Sequence, residues 1–123
     1  MKYVILIYGN PESRAIWDNL STEERARGLK DYERLNEDLA ESGELVLTEA
    51  LADHAQTKRL VVRDGQKTIT DGPFAEAKEL LAGFYVVDVD SLDRAIEIAW
   101  RVPEAELGLV EVRPVMTLDD FLR

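Results

Sequence analysis

Two segments of this chain are apolar on both faces, and they constrain the fold more than anything else in it. In Lys2-Tyr3-Val4-Ile5-Leu6-Ile7-Tyr8, residues Tyr3, Ile5 and Ile7 point one way and Val4, Leu6 and Tyr8 the other. Leu81 to Val89 has the same character, interrupted by Gly83. A strand with this pattern needs cover on both sides of its sheet. A single layer of helices supplies only one of the two.

The helices can be read from their ends. Ser21-Thr22-Glu23-Glu24 is a capping box, in which the Ser21 hydroxyl accepts from the Glu24 amide and the Glu24 carboxylate reaches back. The helix it starts runs to about Ser42, stops at Gly43, and turns Leu29, Tyr32, Leu35 and Leu39 inward. Gly28 inside it costs up to about 1 kcal/mol relative to Ala. Asp90 or Ser91 caps a second helix to about Arg101, with Leu92, Ala95, Ile96 and Ala99 on its buried face and Pro103 as its stop.

Between the helices, Leu45 to Thr48 reads as a short strand and residues 50–57 as irregular. Arg59 to Arg63 and Lys67 to Thr70 flank Asp64-Gly65-Gln66, a hairpin signal because the tight turn needs positive φ. Ala75 to Leu80 is read as a short helical turn, Leu109 to Val115 as the last strand, and Leu118 to Leu122 as one more turn. The order is β-α-β-hairpin-β-α-β with no repeat and no linker. It predicts one α+β domain over residues 1–123, of ferredoxin-like split βαβ type, with two helices on one face of an antiparallel sheet.

That architecture leaves the second apolar face bare, a patch that monomers rarely tolerate. A second copy packed sheet to sheet covers it, so the chain is expected to form a homodimer. In the last strand Val110 and Val112 face the helices. Glu111 and Arg113 then point into the dimer cleft, where charges need partners.

Composition narrows the setting. The 123 residues include no cysteine, which removes disulfides and thiol chemistry. The net charge is −10, which disfavours direct binding to nucleic acid. No apolar run is long enough to span a bilayer, and the opening run is too short for a secretory signal. The expected setting is the cytoplasm, away from membranes.

Four groups of residues are candidates for chemistry. In Asp71-Gly72-Pro73-Phe74, Asp71 either closes a rigid Asx-type turn that anchors Phe74 in the core, or lines a cleft as a general base. In the second case Glu76, Lys78 and Glu79 lie just beyond it, and neighbouring carboxylates could raise its pKa. Glu111 and Arg113 are either an ion pair or a ligand site, the forked guanidinium suiting a carboxylate or phenolate. His54, the single histidine, sits beside Asp53 and near Glu49. It reads as a solvated loop residue, with an acid–base role or a metal site as the sharper alternatives. Tyr8, Tyr32, Tyr85 and Trp17 read as core or interface aromatics, with Trp17 placed to roof a cleft. Glycine-rich phosphate loops, nucleophile elbows and paired-histidine zinc motifs are absent.

Four separated stretches together resemble the YCII-related family, in the branch named for its DGPF motif. They are Lys2 to Gly9, Thr70 to Glu79, Gly83-Phe84-Tyr85 and Glu111-Val112-Arg113-Pro114-Val115. The resemblance implies a ferredoxin-like fold that dimerises as an α/β barrel. Other branches of the family carry a paired His and Asp in the cleft. Residues 22–42 contain no histidine, so only Asp71 and the residues after it carry over. Two functions follow as expectations. One is a small enzyme, or a binder of a small organic ligand, working without a cofactor in the dimer cleft through Asp71 with Arg113 or Tyr32. The other is a non-catalytic regulatory module connected with alternative sigma factors and transcription initiation.

Overall fold

The computed structural model describes residues 1–74 and 77–123. The chain runs β1 (Lys2–Gly9), α1 (Pro11–Asp18), α2 (Thr22–Ser42), β2 (Leu45–Ala50), β3 (Lys58–Arg63), β4 (Gln66–Asp71), β5 (Leu80–Asp88), α3 (Leu92–Trp100) and β6 (Val110–Pro114). Short 3-10 turns lie at His54–Gln56, Pro103–Leu107 and Leu118–Leu122. Four strands form one antiparallel sheet in the order β2-β5-β1-β6, the ferredoxin-like arrangement.

Register explains why β1 and β5 are apolar throughout. Tyr3, Ile5 and Ile7 stand opposite Val87, Tyr85 and Gly83, and Ile5 and Ile7 also oppose Val112 and Val110. This face packs under α2 and α3 through Leu35, Leu39, Ala95, Ile98 and Ala99, all buried. The opposite face carries Val4, Leu6, Phe84 and Val86, half-buried and with none of the described helices over them. β2 and β5 approach closely at Gly83, where an added Cβ would lie 2.9 Å from the Glu49 carbonyl oxygen. That contact accounts for the glycine in an otherwise bulky strand.

The capping box forms as expected, with the Glu24 amide donating to Ser21 Oγ at 3.1 Å and the Ser21 amide to Glu24 Oε1 at 3.0 Å. The Asp64-Gly65 turn also forms, with φ of 51° and 75°. Its two strands, however, make a sheet of their own.

Several expectations need correction. The expected order lacks α1, which starts directly after β1 because the Asn10 side chain accepts from the Ser13 amide and Pro11 suits the first helical turn. β2 runs on to Ala50, and a 3-10 turn follows within the stretch read as irregular. In α3 the buried face is Ala95, Ile98 and Ala99, while Leu92 and Ile96 are 45% and 38% exposed. The two alanines bring that face close to the sheet beside Ile98, and Leu92 and Ile96 fall to its flanks. Phe74 is not anchored in the core: it is exposed, with the Arg59 guanidinium 4.5 Å above its ring. Of the turn expected at Ala75 to Leu80, residues 75–76 lie outside the described residues, and Leu80 already belongs to β5.

Candidate functional site

A cavity of about 680 Å³ opens on the helix-covered side of the sheet, bounded by α1, α2, one end of the sheet and the turn Pro103–Leu107. Small-molecule sites typically measure roughly 300–1,000 Å³. The floor is Ile7, Thr48, Ala50, Gly83 and Tyr85 from β1, β2 and β5. Ile16 and Trp17 of α1 and Leu29 of α2 form apolar walls. This explains two irregularities at once. α1 has no buried residue because its apolar side faces the cavity, and Leu29 is 48% exposed for the same reason. Arg25 holds the Trp17 end, its Nε donating to the Trp17 carbonyl at 3.2 Å and its guanidinium 5.2 Å above the indole.

Polar groups enter the cavity at two places. Deep inside, the Tyr32 hydroxyl donates to the Glu104 carboxylate and the Tyr85 hydroxyl to Asn36 Oδ1. Burial, then the hydrogen bond to Glu104, then the charge of Glu104 push the Tyr32 phenol well above its ordinary range. Burial also raises Tyr85, partly offset by the Thr48 hydroxyl. Both phenols are therefore neutral hydrogen-bonding groups at any physiological pH. At the rim, Arg14 of α1 donates to Asp53 Oδ2 at 2.9 Å and lies 2.7 and 3.0 Å from the two ring nitrogens of His54, tying α1 to the loop after β2. Asp53 also accepts from the Ala55 amide, which is the main reason its carboxyl lies below the ordinary value.

The residues singled out from the sequence do not gather in one place. Tyr32 lines the cavity together with Tyr8, Tyr85 and Trp17, and Trp17 walls it as expected. Asp71 lies at the open end of the hairpin, 82% exposed and paired with Lys58 on the facing strand, outside the cavity. Beside it the Gly72 amide, at φ 86°, donates to the Thr57 carbonyl at 2.8 Å and closes the hairpin base. Glu111 and Arg113 stand on the open side of β6, opposite Leu6 and Val4. There Glu111 and Glu79 border a hollow of about 170 Å³ next to Tyr8. The hydrogen bond and charge of Glu111 help raise the Tyr8 phenol. Lys78 is exposed and Glu76 lies outside the described residues. Among the described residues no three His, Asp or Glu side chains come close enough to hold a metal ion, so His54, Asp53 and Glu49 do not form a centre. No described helix is long and apolar enough to cross a membrane.

A model of the YCII-related domain matches residues 1–119. The chain belongs to the YCII-related family. It is also similar to "Uncharacterized protein R00369" of Rhizobium meliloti (strain 1021), with 34% identity over 117 residues, 94% of this chain and 92% of that protein.

Arg14, Asn36 and Glu104 were not anticipated in this YCII-related chain. Arg14 could have been found, since the Asn10-Pro11 cap announces a helix that carries it. Glu104 could not, because it reaches Tyr32 across 72 residues of sequence.

Proposed function

We propose that this YCII-related protein binds a small, largely apolar organic molecule in the cavity between α1, α2 and the sheet. The observation that carries this reading is the cavity itself: apolar walls, a few polar groups deep inside, and a volume suited to a small molecule. The ligand's place is thus the helix side of one protomer rather than the cleft between two sheets. Tyr32 and Asn36 would orient the ligand, and Glu104 would accept a hydrogen bond from it or from Tyr32. The exposure of Asp71 and its pairing with Lys58 favour reading it as a lock on the hairpin base. The Asp71-Gly72-Pro73-Phe74 tetrapeptide supports placing the chain in the DGPF branch. The absence of cysteine fits a cytoplasmic setting.

The chain contains two tryptophans, and one of them lines the cavity. In a Trp100→Phe background, Trp17 fluorescence therefore reports occupancy directly. A panel of small aromatic and aliphatic metabolites should contain compounds that change it saturably, and Ala50→Phe, which fills the floor, should abolish the change. Flat titrations across the panel, or a response that survives Ala50→Phe, would overturn the proposal.

A further inference from the structure

The β3–β4 hairpin and the turn Leu118–Leu122 are each exposed on an apolar side, and their charges are opposite. Leu60 and Ile69 are cross-strand partners, and Val62 lies on the same side, two residues along β3 from Leu60. These three are 78%, 66% and 68% exposed. The hairpin forms a two-stranded sheet of its own, and such a ribbon is marginal in water unless its apolar side is covered. It is also basic, with Lys58, Arg59, Arg63 and Lys67 against Asp64 and Asp71, in a chain of net charge −10. The turn Leu118–Leu122 presents Leu118, Phe121 and Leu122 at 85%, 72% and 86% exposure, with Asp119 and Asp120 between them.

We infer that the hairpin of one copy of this chain receives the Leu118–Leu122 turn of a second copy. The apolar triad Leu60, Val62 and Ile69 takes Phe121 and its neighbouring leucines. Lys67, the cross-strand partner of Val62 on the same face, meets Asp119 and Asp120. Opposite charge steers such an encounter and fixes its register, while burial of the apolar side chains supplies the affinity. Each copy offers both halves of the contact, so the same pair of patches can be used reciprocally by two copies. The contact is separate from the open face of the four-stranded sheet and from the cavity, and it stands or falls independently of either.

The absence of cysteine provides a clean background for disulfide trapping. Ile69→Cys and Phe121→Cys are made as single variants and mixed under mild oxidation. A mixed disulfide can then form only between copies. The expected result is a covalent heterodimer well above the level given by Ile69→Cys mixed with Glu41→Cys, and its loss when Leu60→Asp is added. Sedimentation should show self-association weakened about tenfold or more by Phe121→Asp, as for an anchor side chain at an interface. Both substitutions are at exposed positions, so folding is preserved. Three outcomes would overturn the inference. These are a mixed disulfide no more abundant than the control, a doubly substituted chain that closes on itself as a monomer, or unchanged sedimentation of Phe121→Asp.

Discussion

At the scale of single residues, Glu44 shows how the fold uses charge. Arg94 donates to both Glu44 oxygens at 2.8 Å, and Ser42 Oγ donates to one of them at 2.7 Å. These bonds join the end of α2 to the start of α3. They lower the Glu44 carboxyl from 4.5 to about 2, with the Arg94 hydrogen bonds as the main cause and the Ser42 bond second. A folded-state pKa below the unfolded one gives stability that is fully present above pH 4.5 and is lost as pH falls toward 2. Arg94 is 41% exposed, so solvent screening holds the contribution to the order of 1 kcal/mol. Urea unfolding of the wild type and of Glu44→Gln, each at neutral pH and near the low end of that window, isolates it. The variant should lose less stability on acidification by about that amount. Equal losses would show that the pair is not worth its geometry.

At the scale of elements, α2 carries a testable inconsistency. Gly28 lies in the helix body, and a Cβ placed there meets nothing within 4 Å. With no close approach to require it, Gly28→Ala should stabilise the protomer by about 0.5–1 kcal/mol, seen as a rise in the unfolding midpoint. A fall would mean that the glycine makes room for something beyond one protomer. What could be read from the sequence follows the same local logic. The Ser21–Glu24 cap, the Asp64-Gly65 turn and the two-faced strands each state their structure within a few residues, and all three form. The face of α3 was misread because periodicity ranks Leu92 and Ile96 by size. Ala95 and Ala99 are buried as expected, but Ile98 completes the face in place of Leu92 and Ile96. The cavity was illegible for a different reason. Tyr32 meets Glu104, Tyr85 meets Asn36 and Arg14 meets Asp53 only after three helices and a sheet are in place. Tyr32 was found because an aromatic on a helix face is conspicuous, whereas its carboxylate partner is one of 25 acidic residues with no local mark.

At the scale of the whole molecule, the open sheet face poses the remaining question, and the register makes it sharp. Leu6 opposes Phe84 and Val4 opposes Val86, so four large apolar side chains form one block in the middle of an uncovered sheet. Leu47 on the neighbouring strand is 47% exposed. Glu111 and Arg113 border the block on the other side. An apolar centre with a charged rim is how protein interfaces are built. A second copy related by a two-fold axis would bring the same block to cover it, which is the assembly expected from the two-faced strands. Phe84→Lys would place a charge at the centre with no partner, at a cost of about 2–4 kcal/mol to association, or roughly 30- to 1,000-fold in the dimer constant. In a Phe121→Asp background, which removes the hairpin contact, sedimentation at micromolar concentration should find a dimer that Phe84→Lys converts to a monomer. The cavity lies on the other side of the same sheet, so Trp17 should report ligand equally in both forms. A wild type that sediments as a monomer would leave Val4, Leu6, Phe84 and Val86 facing water and would exclude the sheet-to-sheet dimer.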